Sequence, residues 1–287
     1  MGFSGGVTLL RSIQQGRQSE YVGTLFLLQL GWMHMTSSSG SLTTVDRAFA
    51  ILELLWELDG AGPSEVAERL DIPDSTAYEY LRALRQTRYV TAERGTYSLS
   101  KHVLTMGGKM RHRNQLFQVA KQEMRHVAAN STELVGLSIE DAGNAIILHQ
   151  EEGARALELG TYVGATIPMH TNASGKAILA FLPSDRIDDI IGPERLERRT
   201  NETITDPDTL RAELDQIRAQ GYVVDWDEQV VGMGMAAVPI TVEDTVLGSV
   251  CIVAPTDRIK HPSYQEELLQ SLQELSQTIA INYQYGR

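Results

Sequence analysis

The segment 171–175 combines hydroxyl and amide side chains and directly precedes an apolar run at helical spacing. Backbone N–H groups at the start of a helix lack intrahelical partners, and together with nearby hydroxyl donors they suit a carboxylate. We therefore predict that Thr171, Ser174 and Gly175 belong to a ligand-binding loop. Lys176 follows in the first helical turn and is assigned no contact, because its direction is open.

Two catalytic motifs that share features with this segment are incomplete in it. A phosphate-binding loop needs glycine at position 170 and serine or threonine at position 177, where the chain has His170 and Ala177. A hydrolase nucleophile at Ser174 would need a glycine two residues to either side, where the chain has Asn172 and Lys176. The pattern therefore favours binding over catalysis, and we predict no catalytic residue.

Residues that could supply nitrogen and oxygen ligands to a metal are His149, His170, Asp225, Asp227 and Glu228. Their separations in the sequence lack the short ligand spacings of a metal-binding motif. Cys251 is the only cysteine, which excludes an intrachain disulfide and any cysteine-cluster zinc or iron–sulfur site. We therefore predict no metal and no other cofactor, and a reducing compartment.

A second group of chemically active residues lies between positions 74 and 94. If Ala77 marks the buried side of a helix, a step of about 100° per residue turns a different set of residues outward. Hydroxyls at a helix start suit phosphate groups, whereas arginine and glutamine can read base edges in a major groove. The predicted DNA-binding residues are Ser75, Thr76, Tyr78, Glu79, Arg82, Arg85 and Gln86 on the helix, and Arg94 at the tip of a following hairpin.

The net charge of −12 is distributed unevenly along the chain. Residues 41–113 hold ten acids and ten bases, whereas residues 114–287 hold 26 acids and 13 bases. The stretch from Arg82 to Arg113 contains eight bases and one acid, which suits contact with a polyanion, although a solvated surface is the alternative. The chain has 5 lysines against 20 arginines, and this acidic, lysine-poor composition is typical of a halophilic archaeon with a high-salt cytoplasm.

The elements that must position the DNA-binding residues are a helix from Thr43 to the Gly60–Pro63 break, a helix at Ser64–Leu70, a helix from Asp74, and a hairpin at Tyr89–Leu99. On the first helix, the side that we predict to face inward carries Val45, Ala48, Phe49, Leu52, Leu55 and Trp56. Three helices followed by a hairpin are the plan of a winged helix-turn-helix, which we predict for residues 41–100.

The segments on either side of this domain are predicted to be accessory. Residues 1–40 are expected to be a disordered leader, or to lie upstream of a true translation start at Met35. Residues 101–113 are predicted to form a linker helix that is interrupted at Gly107–Gly108. No run of 18 apolar residues occurs, so we predict no membrane span.

Residues 114–287 alternate between helix and strand patterns. Helices are expected at Asn114–Asn130, Ser174–Phe181, Asp185–Ile191, Asp208–Gln220 and from Ser263 onward. Strands are expected at Leu134–Glu140, Ala145–Gln150, Ala156–Gly160, Tyr222–Asp225, Met235–Ile240 and Val246–Val253. This order predicts an α+β domain in which helices flank one antiparallel sheet.

Motifs over about residues 41–287 together resemble the IclR family of transcription regulators. The segments that carry the resemblance are Val66–Tyr78, Tyr97–Leu99 in the wing, Ile167–Ala180, Gly221–Ile240 and Gly248–Pro255. Each segment is only weakly specific by itself, but their order and spacing are specific in combination.

The resemblance implies that residues 114–287 form a GAF-like domain that binds a small organic acid or an aromatic metabolite. The pocket residues that it implies are Gly164, Ala165, Asp225, Met235, Cys251 and Val253, next to the Thr171–Gly175 loop. Met235 and Val253 stand where several relatives use a hydroxyl or thiol, which makes the pocket more apolar. Glu79 stands where relatives often have a base, so it repels phosphates, accepts a hydrogen bond from a cytosine amine, or reflects the acidic composition of the chain.

These observations predict a ligand-responsive, cytoplasmic regulator of metabolic genes that binds double-stranded operator DNA as a homodimer or a dimer of dimers. A small organic acid is the expected effector, and neither enzyme activity nor membrane contact is expected. One alternative is a metabolite-binding protein or enzyme built on residues 114–287. The other is a protein-interaction module whose winged helix contacts protein. The identity of the ligand and the sign of regulation stay open.

Overall fold

The computed structural model describes residues 43–192 and 195–286. The predicted leader and the alternative start at Met35 lie outside these residues. Contacts divide the chain into two units, and the boundary falls between Arg113 and Asn114. No helix in the described ranges combines the length and the apolar character needed to cross a bilayer.

The first unit consists of helices α1 (Thr43–Glu57), α2 (Pro63–Leu70), α3 (Asp74–Gln86) and α4 (Lys101–Arg113), with strands β1 (Val90–Glu93) and β2 (Thr96–Leu99). Its core includes Ile51, Val66 and Leu81, one each from α1, α2 and α3. Asp71, with a φ angle of 50°, ends α2, and Pro73 directly precedes α3. This tight turn connects two packed helices, and the predicted winged helix-turn-helix is confirmed.

The hairpin of β1 and β2 turns at Arg94 and Gly95. Both residues have positive φ angles, of 51° and 89°. Positive φ at both central residues is the requirement of a type I′ turn, whose twist matches that of the flanking strands. The turn leaves Arg94 exposed at the tip of the hairpin.

The inward side predicted for α1 is wrong at three positions. Val45, Phe49 and Trp56 are exposed by 47%, 57% and 61%, whereas Ile51 and Leu55 are buried. Helix α1 carries apolar residues on two sides, so hydrophobic periodicity alone does not rank one side above the other. Packing against α2, α3 and the hairpin decides which side is buried.

Helix α4 runs without a break through Gly107 and Gly108, so the predicted interruption is wrong. Glycine in a helix costs about 1 kcal/mol relative to alanine, and flanking helical turns can offset that cost. None of the residues of α4 is buried, and Leu104 and Met110 are each 76% exposed. The helix thus presents apolar side chains to its surroundings.

The helices of the second unit are α5 (Gln115–Ser131), α6 (Ala173–Leu179), α7 (Ser184–Ile190), α8 (Pro207–Gln220), α9 (Thr256–Ile259) and α10 (Pro262–Tyr285). Its strands are β3 (Leu134–Asp141), β4 (Asn144–Glu152), β5 (Thr166–Pro168), β6 (Val223–Trp226), β7 (Met233–Val242) and β8 (Thr245–Pro255). These strands form one antiparallel sheet in the order β5-β4-β3-β8-β7-β6. The predicted α+β class is therefore confirmed.

Side chains alternate between the two faces of the sheet, and the two faces meet different helices. Val135 and Leu137 of β3 are buried with apolar residues of α5 and α10 on one face. Gly136 and Ser138, between and after them, therefore belong to the opposite face. Helix α6 contributes to the apolar cluster on that opposite face, where the cavity described below lies.

The strand expected at Ala156–Gly160 is wrong, because these residues have no regular structure. Instead, β5 forms the edge of the sheet and pairs with β4, with Ile167 opposite Ala145. A strand of three residues has too few alternating positions to be recognised from sequence. Its pairing with β4 is what makes it a strand.

Candidate functional site

The predicted DNA-binding residues of α3 share one side of the helix. Ala77, Leu81 and Leu84 are buried at helical spacing, which turns the opposite side outward. The exposed residues are Ser75, Tyr78, Glu79, Arg82, Arg85 and Gln86, and Thr76 is half-buried. The fold therefore brings these residues together on α3, and their contact with DNA stays a prediction.

The arginines of this surface are available to an external partner. Arg82, Arg85 and Arg94 are exposed, and their side chains make no hydrogen bond or ion pair with any residue that the structure describes. A guanidinium presents several N–H donors in a planar fork that suits a phosphate group or the edge of a guanine. Glu79, three residues before Arg82, is also exposed, so an acid and a base stand on the same face.

A cavity lies on the α6 side of the sheet in the second unit. It holds about 480 Å³ of atom-free space, part of which is open to solvent. The strands supply Leu134, Gly136, Ser138, Ala145, Ile147, Gln150, Ile167, Met233, Met235, Cys251 and Val253 to its lining. The other lining residues are Leu159, Thr161, Asn172, Ser174 and Gln229. Mostly apolar walls with a few polar groups are the usual composition of a small-molecule pocket.

Four of the predicted effector residues line this cavity, namely Ser174, Met235, Cys251 and Val253. The strand register positions three of them, because Met235 lies opposite Val253 and Cys251 lies opposite Gly136. A Cβ atom at Gly136 would lie only 2.8 Å from Cys251 Sγ. Glycine at this position therefore provides the space that the thiol occupies.

The other predicted effector residues, Gly164, Ala165, Thr171, Gly175 and Asp225, lie outside the lining. Gly164 has a positive φ of 96° in the turn before β5. Thr171 is buried, and its Oγ1 donates to the carbonyl of Pro168 at 2.8 Å. A side chain at Gly175 would clash with the backbone of Met169, so this glycine allows α6 to pack on the preceding turn.

The first-turn amides of α6 are bound by the protein itself. The N–H of Ala173 donates to Asp225 Oδ2, and the N–H of Gly175 donates to Asn172 Oδ1 at 2.9 Å. The expectation of free amides at this helix start is therefore wrong. A ligand in the cavity has to find its hydrogen-bond donors among side chains.

Ser174 links α6 to the sheet beside the cavity. Its Oγ lies 2.8 Å from Ser249 Oγ, and Ser249 Oγ also lies 2.9 Å from the carbonyl oxygen of Ser174, to which it donates. The backbone N–H of Ser174 faces Met235 Sδ at 3.4 Å. Burial raises the pKa of the Cys251 thiol to about 12, so this lining residue is neutral at physiological pH. The polar part of the lining is therefore uncharged.

Lys176, which sequence reasoning left without a contact, is fully buried. Its Nζ lies 2.6 Å from Glu228 Oε1 and 2.7 Å from Glu213 Oε1. Burial by itself lowers the pKa of Lys176, but the charges of Asp225, Glu228 and Glu213 outweigh burial and hold that pKa above its ordinary value. The ammonium is therefore committed to the interior and absent from the cavity lining.

Asp225 serves the start of α6. Its side chain is buried, one carboxyl oxygen accepts from the N–H of Ala173, and Oδ1 has no hydrogen-bond partner among the described residues. Burial raises the pKa of Asp225 to about 8, against the lowering effect of Lys176. The structure thus places Asp225 as a capping residue in the interior charge network.

The candidate metal ligands have other partners. His149 Nε2 lies 3.0 Å from Glu151 Oε1, and His170 Nε2 lies 2.9 Å from the carbonyl oxygen of Glu197. Burial lowers the pKa of His170, which keeps its ring neutral near pH 7. In the described part of the chain, no group of three or more His, Cys, Asp or Glu residues has an arrangement that could hold a metal ion.

Sequence reasoning missed several residues of the lining. A signal existed for Gly136 and Ser138, because small or polar residues alternate with the buried Val135 and Leu137. No comparable signal existed for Gln229, which lies in the connection between β6 and β7 and reaches the cavity only through the fold.

Two protein-family models match the chain. Residues 108–281 match the model described as Bacterial transcriptional regulator IclR C-terminal, and residues 44–94 match the IclR helix-turn-helix domain. Among similar proteins, the probable HTH-type transcriptional regulator ArcR of Halobacterium salinarum is 27% identical over 246 residues, which are 84% of this chain and 93% of that protein. The HTH-type transcriptional regulator KdgR of Escherichia coli is 29% identical over 229 residues, 79% of this chain and 87% of that protein.

A solved structure has the same fold. It is an IclR homologue from Microbacterium hydrocarbonoxydans, complexed with 4-hydroxybenzoate, which aligns with a TM-score of 0.72 at 22% identity. The alignment covers 84% of this chain and 99% of that chain. Both units are thus matched, and the C-terminal family model alone spans more than half of the chain. The chain belongs to the IclR family of DNA-binding transcription regulators.

Proposed function

We propose that this regulator responds to a small organic acid that binds in the cavity beside α6. The observation that carries the proposal is the cavity itself, which has apolar walls and a few neutral polar groups. The same chain exposes one side of α3 to solvent. Binding of the acid changes the affinity of the protein for its operator. No step of this response is a chemical reaction, so the proposed function is not that of an enzyme.

The composition of the lining favours an aromatic or hydroxylated acid over a two-carbon acid. Met235, Cys251 and Val253 form an apolar wall that a small acid such as acetate would leave largely uncovered. Ser174 and the other neutral polar residues are the proposed partners of the carboxylate and of a ligand hydroxyl. Ala165 is buried with Ile147 and Ile167, two lining residues, and so supports the wall.

On the DNA, α3 lies in the major groove in this proposal. Arg82 and Gln86 read base edges, whereas Ser75 and Thr76 contact phosphates near the start of the helix. Arg94 at the hairpin tip contacts the neighbouring backbone or minor groove. We expect the protein to act in the cytoplasm, where it can reach chromosomal DNA. We also expect its operators to lie at metabolic genes.

The protein acts as a homodimer or a dimer of dimers in this proposal. One winged helix reads only a few base pairs, and two copies related by a two-fold axis would read a partly palindromic site. The exposed apolar side chains of α1 and α4, including Phe49, Trp56, Leu104 and Met110, are the proposed contact surfaces. A monomer in solution that protects one undivided half-site would contradict this arrangement.

Genomic fragment capture followed by ligand screening tests the proposal. The panel contains 4-hydroxybenzoate, 3-hydroxybutyrate, succinate and acetate, each beside an analogue that lacks the carboxylate. An acid present at about 100 times its dissociation constant should stabilise the protein by roughly 2.7 kcal/mol and raise its melting temperature. The same acid should change the affinity for the captured operator. If no panel acid shifts the melting temperature, or if shifts leave operator affinity unchanged, the proposed function is wrong.

A further inference from the structure

The polar groups of the cavity lining differ in whether they have partners. Gln150 Nε2 donates to Thr161 Oγ1 at 2.7 Å, and Ser174 Oγ lies 2.8 Å from Ser249 Oγ. Gln229 is only 8% exposed, and its side-chain amide makes no hydrogen bond with any residue that the structure describes. Gln229 also lines the cavity, so its amide donors and its acceptor are available to a molecule that enters there.

The backbone that leads to Gln229 is held firmly. The carbonyl of Glu228 accepts hydrogen bonds from Thr203 Oγ1 at 2.6 Å and from Thr200 Oγ1 at 3.1 Å. The side chain of the same glutamate is tied to the buried ammonium of Lys176. The backbone from which the Gln229 side chain extends is therefore held in place by its neighbour Glu228.

The charge of the lining restricts how a carboxylate can be bound. No lysine, arginine or histidine is among the described lining residues. Lys176 is occupied by Glu213 and Glu228, and the helix-start amides of α6 are occupied as well. A carboxylate in the cavity must therefore be held by neutral donors. Gln229 and Ser138, which is 6% exposed, are lining residues whose side chains have no hydrogen-bond partner in the described ranges.

We propose that Gln229 determines the specificity of the effector cavity, and that its side-chain amide donates a hydrogen bond directly to the carboxylate of the effector. This inference rests on the proposed function, because it names the residue that recognises the acid group. It also gives a role to an amide in the connection between β6 and β7 that has no partner among the described residues. A neutral donor can hold an anion without placing a fixed positive charge in the cavity.

Titration calorimetry with pairs of probes tests this contact. The pairs are 4-hydroxybenzoate with phenol and 3-hydroxybutyrate with 2-propanol, and the pair whose acid binds the wild-type full chain more tightly is used. Gln229→Met is expected to weaken binding of the acid by at least about tenfold, since an anion loses a direct hydrogen bond. The analogue without the carboxylate should bind the variant and the wild type with affinities within about twofold.

Two further variants keep the test independent of folding effects. Gln229→Glu preserves the shape of the side chain but replaces donors by a negative charge, so it should also reject the acid and retain the analogue. Gln150→Met makes the same change at a lining glutamine whose amide is already bonded to Thr161. It should weaken binding of the acid less than Gln229→Met does.

The outcomes separate this inference from the proposed function. If the wild type binds none of the acids, the proposed function fails. If it binds an acid, and Gln229→Met binds that acid equally well or loses both members of the pair alike, the contact with Gln229 is refuted while the proposed function stands. Equal losses in Gln229→Met and Gln150→Met would also refute it.

Discussion

The exposed side of α3 and the cavity beside α6 use charge in opposite ways. On α3, arginine side chains stand in solvent and have no partner among the described residues. In the second unit, Lys176 is fully buried and bound by two glutamates, and the cavity lining is neutral. Exposed charge stays hydrated and open to an external partner, whereas interior charge must be compensated within the fold.

Lys176→Met should have the largest effect on the free energy of unfolding, because it removes the buried charge on which this comparison depends. Glu213 and Glu228 would be left without the ammonium that neutralises them. Removing one partner of a buried ion pair costs about 3–5 kcal/mol. Urea unfolding should show this loss. Lys121→Met, at a half-buried lysine bonded to Gln118, is the control and should change the free energy of unfolding by less than about 1 kcal/mol. An unchanged free energy of unfolding in Lys176→Met would contradict the role of Lys176 as the cation that neutralises Glu213 and Glu228.

Arg82→Ala should have the next largest effect, on the affinity for operator DNA, and it tests the exposed side of α3. We expect operator binding to weaken by ~1–3 kcal/mol if the guanidinium makes a bidentate base contact. Fluorescence anisotropy on operator and random duplexes measures the difference. Arg111→Ala, in α4, should give a smaller loss that is similar on both duplexes. If Arg82→Ala weakens operator and random DNA equally, the base-reading role is excluded.

The stability of the interior network should depend on pH through Asp225. Its pKa is raised to about 8 by burial, so the folded chain keeps a proton there that the unfolded chain has already released. Stability from this group is therefore full at low pH and is lost as pH rises to about 8. The groups that interact electrostatically with Asp225 are Lys176, Glu213, Glu228 and Cys251.

Asp225→Asn isolates this contribution. We expect the wild type to lose about 1 kcal/mol of unfolding free energy between roughly pH 7 and pH 8, and the variant to lose clearly less. The pKa of His170 is lowered, so its contribution makes stability rise with pH, opposite to that of Asp225, and it is the same in both proteins. Parallel slopes of the two proteins in urea titrations at both pH values would show that Asp225 is not the titrating group.

Glu79→Gln should have the smallest effect and sharpens the description of α3. The exposed acid lies on the same face as Arg82, where it should repel phosphates. Its removal is expected to strengthen binding to operator and random DNA alike, by less than about 1 kcal/mol, and to a greater degree at low salt. Weaker binding to the operator alone would instead mean that Glu79 accepts a hydrogen bond from a cytosine amine.

Sequence reasoning succeeded where the deciding interactions are local. The outward set on α3 follows from the spacing of Ala77, Leu81 and Leu84, and a helix of this length has only one side that fits them. The turn at Arg94 and Gly95 is similarly local. On α1 the same method failed, because two apolar sides compete and only packing against other helices selects between them.

By itself the sequence determined the winged helix-turn-helix, the α+β class and the residues that α3 turns outward, since helix and strand periods are set by neighbours in the chain. Only the tertiary structure decided that Lys176 is buried and that Gln229 lines the cavity. The partners of Lys176 lie 37 and 52 residues away, in Glu213 and Glu228. Burial and pairing over such separations depend on how strands and helices are brought together, and no local pattern records that.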